Sequence, residues 1–131
     1  MLKAEQVVEK RRNSKQWTEA RFRSFVTSAL RAASRRWPPK FDVLKKAFIG
    51  KKTNKKTGKL AMHYKCAKCL GSFVAADVQV DHIHPVVDPI RGFISWDVYI
   101  DRIFCEVHGL QVLCKPCHDV KTKLEKEMRK K

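Results

Sequence analysis

Residues 110–122 read LQVLCKPCHDVKT, and the reading of this stretch decides the fold. Cys114 and Cys117 are three apart, and His118 follows at once. LQVL is a short apolar run that reads as a strand. Pro116 suits the first turn of a helix, so a last helix is predicted from near Lys115 or Pro116. A second cysteine pair, Cys66 and Cys69, lies upstream in YKCAKCLG (64–71). Two C-x2-C turns can each aim two thiolates at one point, and together they complete the tetrahedral sulfur set that suits Zn²⁺. A redox dithiol is the rival reading, but it explains neither the second pair nor the chain's charge. With four thiolates on the metal, His118 is free for other work. Cys105 is left over and is expected to pack as a small apolar side chain.

Working outward, DVQVDHIHPV (77–86) alternates, with Val78, Val80 and His82 on one side, and reads as a strand ended by Pro85. SWDVYIDRIF (95–104) reads as a helix capped by Ser95, with Trp96, Tyr99, Ile100 and Ile103 as its apolar face. In the last helix Cys117, Val120, Leu124 and Met128 share a face taken as the side toward zinc and core. His118, Lys121, Thr122 and Glu125 share another. Near the N-terminus, Phe22, Phe25, Val26, Ala29, Leu30, Ala33 and Trp37 make one helical stripe, read as core. Thr18 is its expected N-cap and Pro38-Pro39 its expected stop; a short second helix is predicted over 41–48. Arg21, Arg23, Arg31, Arg35 and Arg36 lie largely off the stripe. The first 15 residues read as a frayed helix or a mobile arm.

Lys and Arg number 29 against 13 Asp and Glu, a net charge of +16. A field of that sign favours polyanions, nucleic acid or an anionic membrane surface. No apolar run approaches the roughly 18 residues of a membrane span. The N-terminus MLKAEQVVEKRR is mostly polar and shows no secretory pattern, so the cysteines are expected in a reducing cytoplasm, where paired spacing points to metal before disulfides. The segment GKKTNKKTGK (50–59) carries five lysines and reads as a loop or hairpin tip, either simply solvated or in contact with phosphates through residues such as Lys55 and Lys56. His63 and His108 read as surface histidines. The 131 residues are expected to form one compact domain, with a basic helical region and lysine-rich loop over 1–60 and a zinc-bound part over 61–131.

Asp81, His82 and His118 converge if strand, strand and helix fold together. A carboxylate and an imidazole can hold a divalent cation, and a neutral imidazole beside them can take a proton from water. The plain alternative is a structural Asp81–His82 pair. CAKC (66–69), VDHIHPV (80–86) and LQVLCKPCHDVKT together resemble the zinc-containing HNH endonucleases of the small type common in phage genomes, and FVTSALRAASRRWPPKF (25–41) resembles segments that precede the motif in such proteins. The resemblance covers roughly residues 17–125.

It implies an α+β chain: N-terminal helices, then a small ββα-metal core stapled by a four-cysteine zinc site. It implies a DNA endonuclease, nicking as a monomer, with Mg²⁺ or Mn²⁺ as catalytic cation. His82 matches the general base, Asp81 and His118 the cation ligands, and Lys121 a basic residue where a phosphate contact is expected. Cys66, Cys69, Cys114 and Cys117 match the structural zinc ligands. Arg35, Arg36, Lys55 and Lys56 are expected to neutralise DNA phosphates. The family's middle asparagine is replaced by Gly109, with His108 before it. The competing expectation is a zinc-stabilised DNA-binding protein without catalysis, or an accessory of phage genome packaging acting with the terminase.

Overall fold

Thr18 has the extended backbone of an N-cap, and its Oγ1 accepts a hydrogen bond from the Arg21 amide at 3.1 Å. From it runs α1 (Glu19–Ser34). The computed structural model describes residues 8–130. They divide into two compact units, the first ending at Arg35 and the second beginning at Arg36.

In the first unit α1 is preceded by a hairpin of β1 (Lys10–Arg12) and β2 (Trp17–Thr18). Asn13, Ser14 and Lys15 all turn through the left-handed region, with φ of 52°, 51° and 66°. The frayed helix or arm expected over the first 15 residues is therefore a short hairpin over 10–18; residues 1–7 lie outside the described residues. Arg12 closes the hairpin onto the helix. Its Nε and Nη2 each donate to Glu19 at 3.1 Å, and its guanidinium lies 4.1 Å from the Phe22 ring centre. The α1 stripe is less covered than its period implies: Phe22, Val26 and Leu30 are half-buried and Phe25 is 61% exposed.

The second unit opens with α2 (Pro38–Ala47). Pro38-Pro39 begins this helix, three residues before the start expected at 41, because proline costs nothing where the N–H would be unpaired. Trp37 leaves the α1 stripe for the same reason. It precedes α2, and its indole donates to the Cys105 carbonyl at 2.6 Å. Three antiparallel strands follow, β3 (Phe48–Thr53), β4 (Leu60–Lys65) and β5 (Ser72–Val74), in the order β3-β4-β5. The lysine-rich segment is thus partly strand. Its tip is ordered by Asn54, whose carbonyl accepts from Gly58 at 2.7 Å and whose side chain accepts from Lys56 at 3.0 Å. Since β3 and β4 pair across residue 60, the lysine-rich tip belongs to the same unit as the cysteine pairs.

A second, two-stranded sheet pairs β6 (Val78–His82) with β7 (Leu110–Cys114), antiparallel. Between them lies α3 (Trp96–Ile103), capped by Ser95, whose Oγ accepts from Val98 at 3.2 Å. After β7 the chain passes straight into α4 (Lys115–Arg129). The architecture is mixed α+β. Tyr64, Val78 and Val112 form one buried cluster under Val43, Leu44 and Ala47 of α2. Cys66, Leu113 and Cys114 form the other, against Phe73. Both are small; Tyr99, Ile103 and Leu110 are buried outside them. The α4 face expected to meet the core meets it only at Cys117: Val120, Leu124 and Met128 are 58%, 60% and 45% exposed. His63, expected at the surface, is buried, with Nδ1 donating to the Ala61 carbonyl. Among the described residues no helix is long and apolar enough to cross a membrane.

Candidate functional site

Two constellations hang from the β6–β7–α4 frame. The first is made of sulfur. Cys66 follows β4 and is fully buried; Cys69 is reached through a turn in which Leu70 donates to the Cys66 carbonyl at 3.0 Å and itself takes φ 64°. The Ala67 amide ties this turn to β7 through the Val112 carbonyl at 2.8 Å. Cys114 ends β7 as the N-cap residue of α4, and Cys117 lies in that helix's first turn. The four Sγ atoms lie within 4.8 Å of one another, close enough to hold one metal ion. Cys69 and Cys114 sulfurs are 3.8 Å apart. A tetrahedron with metal–sulfur bonds of about 2.3 Å has edges of about 3.8 Å, whereas a disulfide needs about 2.05 Å.

The electrostatics of the cluster point the same way. Burial opposes ionisation of Cys66, but the backbone amides of Cys114, Cys69 and Lys68 outweigh it and lower the thiol to about 6. Cys117 goes the other way. The neighbouring Cys114 sulfur, burial and the charge at Cys66 push it up to about 12. Four sulfurs this close cannot all ionise unless a cation sits among them.

The second constellation is made of oxygen and nitrogen. Antiparallel register sets Asp81 opposite Gln111 and His82 opposite Leu110. Asp81 leans toward α4, where His118 stands one residue past Cys117. Its Oδ1 lies 3.6 Å from His118 Nε2, too far for a hydrogen bond. Its Oδ2 accepts from Gln111 Nε2 at 3.1 Å and pairs with Lys121 Nζ, also at 3.1 Å. Lys121 also donates to Glu125 Oε2 at 2.8 Å and to the His82 carbonyl at 2.9 Å. Burial lowers the affinity of Lys121 for its proton, but bonds to Glu125 and Asp81 more than offset it, so its pKa is raised. Asp81, Glu125, Lys121 and His118 are partly shielded, Asp81 at 11% exposed.

His82 is the last residue of β6. Its Nε2 lies 2.9 Å from the Ile103 carbonyl at the end of α3. A carbonyl only accepts, so Nε2 carries the proton and the lone pair of the neutral ring is on Nδ1. The structure thus joins Asp81, His118 and Lys121 in one network and holds the His82 ring by a separate carbonyl. Among the described residues the sulfur cluster is the only group of three or more such ligands that could hold a metal; Asp81 and His118 are a pair.

Gln111 and Glu125 complete the network. Glu125 shares a helix face with His118 and Lys121, which the sequence shows; the partnership of Gln111 becomes readable only once the strand register is known. Gly109 sits in a turn whose amide donates to Glu106 and whose carbonyl accepts from Ile83, both at 2.9 Å. A Cβ there would lie 2.9 Å from Cys105 Sγ, so a side chain at this position displaces the Cys105 thiol. His108 beside it is exposed. Lys55 and Lys56 are exposed at the hairpin tip, where with Lys52 and His63 they line a cleft of about 350 Å³. Arg35 and Arg36 are exposed on either side of the division between the units. No family model, curated protein or solved structure matches this chain.

Proposed function

We propose that the chain is a metal-dependent DNA endonuclease of the HNH type, with one divalent cation at Asp81 and His118 and a structural zinc at Cys66, Cys69, Cys114 and Cys117. The observation that carries the reading is the approach of Asp81 Oδ1 and His118 Nε2 to 3.6 Å without a hydrogen bond between them. Two ligands at right angles on one cation with bonds of about 2.1 Å stand about 3.0 Å apart, so a shift of about 0.6 Å brings this pair onto the ion.

When bound, Mg²⁺ or Mn²⁺ supplies positive charge to the phosphate under attack and to its leaving oxygen. The chain's own residues supply the rest. Ile103 holds His82 by Nε2 and fixes Nδ1 as the atom that accepts a proton from water. The water oxygen bonds to phosphorus, the P–O3′ bond breaks with its electron pair on O3′, which takes a proton from solvent, and the products carry a 5′-phosphate and a 3′-hydroxyl. Lys121 keeps positive charge beside Asp81. Exposed Arg35, Arg36, Lys55 and Lys56, within a net charge of +16, favour binding through phosphates, which weakens steeply with salt. No base-reading element is evident in the sequence, so low sequence specificity and single-strand nicking are expected.

One observation favours a second reading, a zinc-stabilised DNA-binding protein or a packaging accessory that works with a phage terminase in the host cytoplasm. Gly109 stands where the resembled family has asparagine, and Cys105 fills the space a side chain needs. Supercoiled plasmid incubated with the protein in Mg²⁺, Mn²⁺ or EDTA separates the two, beside His82→Ala and His118→Ala with zinc content matched. Metal-dependent conversion to open circles, lost in both variants, supports the nuclease. Retardation without cutting under every metal supports the binding protein.

A further inference from the structure

The ammonium of Lys121 is held by three oxygens, two of them carboxylate: Glu125 Oε2 at 2.8 Å, the His82 carbonyl at 2.9 Å and Asp81 Oδ2 at 3.1 Å. An ammonium has three N–H donors, so all are taken. Carboxylate and carbonyl oxygens are also the ligand set that hard divalent cations take. Asp81 serves both sides. Oδ1 faces His118, while Oδ2 has its two lone pairs engaged by Lys121 and Gln111. A carboxylate shared in this way is how two cations are bridged in two-metal phosphodiester hydrolases.

We propose that Lys121 is a tethered substitute for a second cation: its ammonium fills an oxygen nest of Asp81, Glu125 and His82 and restricts the centre to a single divalent ion. The proposal deepens the nuclease reading, on which the first cation position rests. The nest itself stands on the contacts of Lys121 alone. It gives Lys121 a role distinct from a phosphate contact, since a hydrogen bond to substrate requires it to release one of its three oxygens. Glu125 is then a positioning residue that acts through Lys121. Removing the ammonium leaves two carboxylates and a carbonyl facing one another, a set whose repulsion a divalent cation relieves.

The test counts bound Mn²⁺ on zinc-loaded protein by electron paramagnetic resonance, with zinc content and far-UV circular dichroism confirming the fold. Lys121→Ala is expected to bind one Mn²⁺ more than the wild type. With Asp81 shared between them, the two ions would be close enough for exchange coupling to broaden their six-line signal. Adding Glu125→Gln to Lys121→Ala should abolish the extra ion. The thermal midpoint of Lys121→Ala should also rise more with added Mn²⁺ than that of the wild type, which reads the nest even in a variant that folds poorly without metal. Equal Mn²⁺ counts in wild type and Lys121→Ala overturn the proposal, as does an extra ion that survives Glu125→Gln. A wild type that binds no Mn²⁺ defeats the nuclease centre, while the difference between the two proteins still decides the role of Lys121.

Discussion

The two constellations on α4 differ in chemistry, completeness and origin. The sulfur cluster comes from two sequence-local turns and is a full set: four thiols within 4.8 Å, with Cys66 and Cys114 buried and Cys69 at the surface. The Asp81–His118 pair comes from a strand and a helix far apart in sequence and offers two donors only. Softness of the donors and completeness of the set go together here, as they do for metals that hold folds against metals that meet substrates. One helix serves both because Cys117 and His118 are neighbours and so point about 100° apart around its axis. Sulfur anchors the helix start, and the anchor sets where His118 stands.

The strongest way to break the comparison is to deny the sulfur cluster a metal. Chelation, or Cys66→Ala, should abolish the cooperative thermal transition of the second unit, followed by circular dichroism, because Cys66 and Cys114 sit inside one of its apolar clusters and metal binding is coupled to folding. A melt that survives intact refutes the cross-link role. Next comes His118→Ala. It should lower metal-dependent plasmid nicking by about 100-fold or more while shifting stability by no more than about 1 kcal/mol. Loss of folding instead would place His118 with the sulfurs.

A smaller effect is expected at the turn between α3 and β7. Gly109→Asn should destabilise the second unit by about 1–3 kcal/mol, measured by urea unfolding, because its Cβ meets Cys105 Sγ. Cys105→Ala should recover most of that loss, and equal loss in single and double variants would show that the contact is not the cause. The smallest change is Gln111→Leu. It removes one of the two donors on Asp81 Oδ2 and should weaken Mn²⁺ binding by about tenfold, with stability nearly unchanged.

What the sequence shows and what it hides follow from how local each cause is. The caps at Thr18 and Ser95, the alternation of Val78 and Val80, the strand at 110 and the cysteine turns are each set by residues within a few positions. They are legible for that reason. The sheet of β3, β4 and β5 is not, since FIGKKT has no apolar alternation and is exposed along nearly its whole length. Asp81 and His118 are legible as chemistry, but the partners that share out the Asp81 oxygens depend on register. Trp37 shows the other limit. Its spacing fits the α1 stripe, yet two prolines and a carbonyl on Cys105 take it elsewhere.

The exposed strand that hides from periodicity also governs how copies of the protein treat one another. β3 is an edge, and an unpaired edge is a template on which a strand from another molecule can dock. Here that edge carries Lys51 and Lys52, and its pairing is irregular between Phe48 and Gly50. Lysines facing lysines repel at close range, and the irregularity spoils a continuous ladder. The hairpin is therefore protected from recruiting its own kind at high concentration. Neutralising its lysines should show first as precipitation, before any loss of structure within a single molecule.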